Sequence, residues 1–546
     1  MENKRAAGIL LHPSSLPSPH GIGDLGPSVY AFIDFLQQAG LGLWQVLPLG
    51  PTGYGDSPYQ CFSAFAGNPA LLSLTQLVED GLLTQTEVDA LPALPANTAN
   101  PDGAMALKLP LLQKAFARFH PGADYDCFCQ QSAFWLPDYA LFRAIKDHLY
   151  TLRQTGEKDA SYRDFVQSTA GRLTAEQIDD QYFGALWYSW PKALVHRQTA
   201  ALKAMMDKLS QAIAFQTFLQ YLFFRQWANV KAYANAAKIR IIGDLPIFVS
   251  LDSADAWSRQ ELFLLDEDGF PAKVAGVPPD YFSPTGQLWG NPVYRWQTHQ
   301  KDGFAWWIER IRTQLRLADL LRIDHFRGFK SNYQIPFGSQ TAQTGSWHPG
   351  PGKALFDAVK TALGSLPLLA EDLGIITPQV EALRLSCGLP GMKVLQFAFG
   401  DTAQNPYLPH NYEKNCIVYT GTHDNDTSIG WYQTVSEKEK DYFRRYTSSS
   451  GASPGWDLIR LAMASTADTA IFPLQDVLCL DGSARMNTPG RLGGNWHWRF
   501  SMAQLLPSYA HDLHGLAELF GRLAPPKNSP TDSSSEPSDV SPENKP

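Results

Sequence analysis

The chain has 546 residues, 44% of them hydrophobic, and a formal net charge of -8. That length suits one large barrel with insertions, and that composition can bury a sizeable core. No cluster of Lys and Arg forms a nucleic-acid footprint, so the expected polar partner is uncharged.

From the N-terminus, the run Ile9-Leu10-Leu11 ahead of His12-Pro13 is too short for a signal-peptide core or a membrane span. Apolar runs suited to buried parallel strands then recur at 8–11, 43–47, 239–243, 320–323, 368–370, 392–396, 416–419 and 470–474. Eight such runs predict a (β/α)8 TIM barrel of the α/β class. Crossover helices are expected over 27–38, where Val29, Phe32, Ile33 and Leu36 share a face and Gly40 ends it. Another is expected after Thr377, with Pro378 in the first turn and Gly388 as the stop.

Two intervals, 48–238 and 245–319, are too long for single helices. They predict mostly helical insertions after strands 2 and 3, at about 69–215 and about 250–315, within a catalytic unit of 1–524. The first reads as helical from Leu107, with Trp135, Tyr139, Leu141 and Phe142 as core, and 215–237 as an amphipathic helix feeding strand 3. The stretch 525–546, rich in Ser, Pro, Asp and Glu, predicts a disordered acidic tail. Six cysteines, Cys61, Cys127, Cys129, Cys387, Cys416 and Cys479, show no metal or disulfide framework. They read as free thiols of a reducing cytoplasm, with Cys127-Phe128-Cys129 suiting an extended segment.

Three of the apolar runs end on carboxylates. Leu320-Leu321-Arg322-Ile323 leads to Asp324, Leu368-Leu369-Ala370 to Glu371, and 416–419 through Thr420-Gly421-Thr422 to His423 and Asp424. Parallel strands present their functional groups at their carboxyl ends, so three acids can face one pocket. Glycoside chemistry requires such a set: a nucleophile, a proton donor and a stabiliser of positive charge. Arg322, two residues before Asp324, is expected to keep that carboxylate ionised. Glu371 is the candidate acid/base, while Asp372 points to the opposite strand face and reads as structural. Asp424 can bridge sugar hydroxyls, to which His423 can donate. Calcium is disfavoured because 421–427 lacks the EF-hand length and terminal Glu. Asp244, ending 239–243, suits a sugar contact or a helix cap. The Gly/Pro loop 277–292 offers Asp280, Tyr281, Phe282, Trp289 and Asn291, and the loop 53–59 offers Tyr54 and Tyr59. Their rings can stack on sugars or pin their own loops.

With these residues assembled, the sequence resembles the 4-α-glucanotransferases, the amylomaltases or disproportionating enzymes of the α-amylase clan. The resemblance spans about 7–500. It includes Gly8-Ile9-Leu10-Leu11-His12-Pro13, Gly243-Asp244-Leu245-Pro246-Ile247-Phe248-Val249, 322–328, 370–374, 419–427 and Ala484-Arg485-Met486-Asn487-Thr488-Pro489-Gly490. It implies a retaining transfer without cofactor or metal. Asp324 would be the nucleophile, Glu371 the acid/base and Asp424 the third acid. Arg322 and His423 would assist, and Asp244 and Tyr59 would line the bond-cleaving subsite under a loop matching 278–289. The implied partners are malto-oligosaccharides and amylose-like glucans, with no nucleic acid, membrane or obligate protein partner. A hydrolase of the same clan and a non-catalytic glucan-binding protein are the competing readings. Transfer wins only where water is excluded and a sugar acceptor is held.

Overall fold

The computed structural model describes residues 5–525 apart from 170, 280–283 and 492, and every side chain among them except that of Tyr54. Asp280, Tyr281 and Phe282 of the cleft loop, the side chain of Tyr54 and the acidic tail from residue 526 onward therefore lie outside the described residues.

All eight expected strands form: β1 (Ala6–Leu10), β2 (Leu43–Gln45), β3 (Arg240–Leu245), β4 (Leu320–Ile323), β5 (Leu368–Ala370), β6 (Gly391–Val394), β7 (Cys416–Tyr419) and β8 (Thr469–Pro473). They make one parallel sheet in the order β6-β7-β8-β1-β2-β3-β4-β5. Its two edges are joined where the Ala370 N–H donates to the Pro390 carbonyl at 2.9 Å, bringing the ring of strands round on itself. At Gly8 a Cβ would stand 2.2 Å from the Leu43 carbonyl oxygen, so only glycine lets β1 and β2 approach this closely.

Side-chain alternation divides the core in two. Leu10, Leu43, Ile242, Leu369, Ile417, Tyr419 and Ile471 fill the barrel interior. Ile9, Ile241, Leu321, Ile323 and Val418 point outward to the helices. Among these helices, Pro27–Gln38 buries the expected Val29, Phe32, Ile33 and Leu36. Pro378–Ser386 starts after Thr377 as anticipated, although the Thr377 hydroxyl makes no cap hydrogen bond.

The interval between β2 and β3 is helical, from Leu74–Glu79 to the 27-residue Ser210–Ala236. Trp135, Tyr139, Leu141 and Phe142 are all buried. Cys127 and Cys129 lie in the helix Ala123–Gln131, not in an extended segment. Asp124 and Asp126 favour its N-terminal turn, and Phe128 packs on Tyr221 and Phe224.

The insertions are less purely helical than expected. The strands Lys273–Val277 and Gln287–Pro292, from between β3 and β4, pair with Ser331–Pro336 and Ser346–Pro349, from between β4 and β5. They form a separate four-stranded antiparallel sheet beside the barrel. Part of the expected Gly/Pro loop is therefore a strand. Among the described residues no helix is long and apolar enough to cross a membrane.

Candidate active site

Strand register builds the site. Parallel pairing sets Asp244 opposite Arg322 and Ile323 opposite Ala370. Asp244 and Arg322 share the parity of Ile242 and Leu320, so both side chains enter the barrel interior. One residue beyond the last pair, the Asp324 N–H donates to the Leu245 carbonyl and the Glu371 N–H to that of Ile323, both at 3.0 Å. The ladder thus continues far enough to fix the two acids side by side at the carboxyl ends of β4 and β5.

Arg322 organises the acids around it. Its Nη1 donates to Asp244 Oδ2 at 2.7 Å and Oδ1 at 2.9 Å, and to Asp324 Oδ1 at 3.2 Å. The Asp244 side chain is fully buried, and Tyr59 adds a hydroxyl donation to its Oδ2 at 2.9 Å. Its oxygens are taken by Arg322 and Tyr59, so it caps no helix. Burial opposes the charge of Arg322, but Asp244 and Asp324 hold its guanidinium well above the ordinary range.

Glu371 is held by backbone. Its Oε2 accepts the His325 N–H at 2.6 Å and its Oε1 the Leu373 N–H at 3.0 Å. His325 sits in the left-handed region (φ 49°), which turns the chain away from β4 directly after the N–H that Glu371 accepts. Burial pushes Glu371 up to about 7; Arg322 opposes this and Asp324 reinforces it. Asp324 feels Arg322 in the expected direction, but burial outweighs it. Burial lifts it to about 6, with Arg322 opposing, because that guanidinium lies nearer Asp244. Asp372 faces away as expected, accepting the Met392 N–H at 2.7 Å and pairing with Arg384 at 3.2 Å.

Across the mouth, Asp424 keeps 45% of its side chain exposed. Its Oδ1 accepts from Asn487 Nδ2 at 2.6 Å and lies 3.4 Å from His423 Nε2. Burial, reinforced by Arg322 despite Asp424, lowers His423, so its ring is neutral near pH 7. That ring stacks on Tyr59 (centroids 5.2 Å apart, 15° between planes), and Trp496 leans against both. Trp289 meets His325 edge to face at 4.9 Å. Asn291 is buried and joins loops: its amide donates to the Val249 carbonyl at 2.8 Å and accepts from Gln60 at 3.2 Å.

The structure thus brings together Tyr59, Asp244, Arg322, Asp324, Glu371, His423 and Asp424, with Trp289 beside them through His325. Asn487 and Trp496 were not anticipated as individual site residues. The segment 484–490 contained Asn487, but nothing local in the sequence marked it as the partner of an acid 63 positions earlier.

Comparison with known proteins bears on this geometry. A family model described as 4-alpha-glucanotransferase matches residues 11–504. The chain is 48% identical over 532 residues to a 4-alpha-glucanotransferase of Synechocystis sp., covering 96% of this chain and 99% of that one. It is 47% identical over 537 residues to the 4-alpha-glucanotransferase of Thermus thermophilus, covering 96% and 100%. The amylomaltase from Streptococcus agalactiae, solved in complex with acarbose, superposes with a TM-score of 0.85 at 38% identity, over 95% of this chain and all of that one. An amylomaltase from Corynebacterium glutamicum, at 17% identity and a TM-score of 0.70, shares the fold. With the barrel, the acids at its strand ends and this near-complete coverage agreeing, the chain belongs to the 4-alpha-glucanotransferase family.

Proposed function

We propose that Asp324, Glu371 and Asp424 divide the transfer of α-1,4-glucan segments as follows. Asp324 attacks C1 of the donor sugar while Glu371 gives its proton to the departing O4. The C1–O4 bond breaks and a glucosyl–Asp324 ester forms. The 4-hydroxyl of an acceptor then surrenders its proton to Glu371 and attacks C1, which frees Asp324. Asp424 binds hydroxyls of the reacting sugar and supports its oxocarbenium-like centre. Tyr59 packs against that sugar, His423 donates to it, and Asp244 with Arg322 fixes the nucleophile. The donors and acceptors are malto-oligosaccharides and amylose-like glucans, and the free cysteines fit a reducing cytoplasm.

One observation carries this reading: the strand register sets two half-buried acids side by side at neighbouring strand ends, within the field of Arg322, where burial lifts both towards neutral pH. Such a pair shares its protons, so one member can be ionised as nucleophile while the other keeps a proton to donate. Retention further requires the two carboxyls to be roughly 5–5.5 Å apart. Incubation with maltotriose is the test. Transfer gives glucose and a ladder of longer oligomers with no net gain of reducing ends. A net gain would mean hydrolysis, and a Glu371→Ala variant as active as the parent would remove the assigned acid/base.

A further inference from the structure

Outside the acids, one aromatic ring at the mouth is built as a platform and has no role in the chemistry above. Trp347 lies on the edge strand Ser346–Pro349 of the antiparallel sheet and remains 39% exposed. Two neighbours hold it. The Arg327 guanidinium carbon lies 3.7 Å from its ring centroid, and Tyr333, its cross-strand partner, meets it edge-on at 5.2 Å. Arg327 is itself buried and donates through Nη1 to the carbonyl of Ile375. Ile375, whose carbonyl takes that hydrogen bond, leaves its apolar side chain 55% exposed.

The position is informative. Arg327 is three residues beyond Asp324, and Ile375 is four beyond Glu371. The ring is thus tied, through Arg327, to both segments that carry the acids. Most large aromatics in this chain are buried, whereas this one is immobilised with part of its surface in water. A ring already fixed by its neighbours loses little further freedom when a ligand covers it, which favours binding there. A glucan offers the matching surface, since the C–H groups of its rings pack against aromatic faces while its hydroxyls stay solvated.

We propose that Trp347 and Ile375 form a rim subsite for the outer glucose units of an acceptor or leaving α-1,4-glucan chain, so that this rim sets chain-length preference. The proposal rests on the role given to Glu371, which defines the acceptor side.

The experiment compares labelled glucose with labelled maltohexaose as acceptors of segments from amylose. In Trp347→Ala, kcat/KM for maltohexaose should fall about five- to ten-fold more than for glucose, which is what burial of about 50 Å² of apolar ring is worth. Trp347→Phe should recover most of the difference, and Ile375→Ser should shift the ratio in the same direction by a smaller factor. Ile375 is on an exposed loop, so that arm survives if the tryptophan variant fails to fold. An unchanged ratio in the folded variants, or an equal loss with glucose, overturns the subsite. Failure of the underlying chemistry looks different: a Glu371→Gln variant that still transfers to either acceptor would refute the acid/base while leaving the ratio test readable.

Discussion

Asp324 and Glu371 on one side of the mouth, and Asp424 on the other, are held to different degrees. The first two are half-buried, with 27% of the Asp324 side chain exposed, share the field of Arg322, and are lifted towards neutral pH by burial. Asp424 stands nearly half in water, its carboxylate steadied by the Asn487 amide with His423 Nε2 at 3.4 Å. Desolvation is useful where a proton or covalent bond must change hands at neutral pH. A group that only presents negative charge to hydroxyls gains nothing from it and can remain wet. The comparison makes a ranking: substitutions in the half-buried pair should abolish turnover, and those around Asp424 should weaken it.

The largest effect is expected at the pair. Asp324→Asn removes the proposed nucleophile and should lower kcat by about 10⁴-fold or more. Glu371→Gln removes a proton donor and should cost about 10²–10⁴-fold. Initial rates of glucose release from maltotriose measure both. If Asp424→Asn proved more damaging than Asp324→Asn, the division between the two sides would collapse.

Arg322 tests the burial itself. Arg322→Ala leaves the buried Asp244 and the half-buried Asp324 without their cation; breaking a fully buried pair typically costs about 3–5 kcal/mol, and the exposed part of Asp324 sets this loss towards the lower end. Denaturant unfolding at pH 7.5 should show that loss. It should shrink at lower pH, where both carboxyls can take up protons and no longer need the cation.

How much of this was legible in the chain follows from burial. Barrel strands are covered on both faces, so their sequences become uninterrupted apolar runs such as Cys416-Ile417-Val418-Tyr419, and the acid that ends a run marks the pocket. The antiparallel sheet sends no such signal. Gln287-Leu288-Trp289-Gly290-Asn291-Pro292 carries a glycine and a proline and so reads as loop, and Ser346-Trp347-His348-Pro349 is largely exposed and gives no apolar run to mark a strand. The surroundings of Asp324 were only partly legible for a related reason. The spacing of Arg322 and Asp324 is visible in sequence, but the register that gives the guanidinium first to Asp244 is not. The Asp424–Asn487 contact is likewise a product of tertiary structure alone.

The pH profile of kcat/KM sharpens the comparison further. On the proposed roles, activity needs Asp324 ionised and Glu371 protonated in the free enzyme. The rate should therefore rise as pH passes through about 6 and fall above about 7, with both limbs belonging to the coupled pair. Replacing Arg322, which depresses both groups, should move both limbs to higher pH. Asn487→Ala should leave the limbs in place, because Asn487 touches neither member of the pair.

Asn487→Ala is also the mildest substitution foreseen. It removes the 2.6 Å donation to Asp424 Oδ1 and leaves Oδ1 with His423 Nε2 at 3.4 Å. The freed carboxylate is not stranded, because nearly half of it already meets water, so the penalty is lost orientation and not an unsatisfied buried charge. A hydrogen bond to a charged group is worth about 1.5–3 kcal/mol, and solvent replaces part of it here, so kcat/KM on maltotriose should fall by about ten-fold. A loss as deep as that of Glu371→Gln would show that Asp424 depends on burial after all, and that the two sides of the mouth work by the same physics.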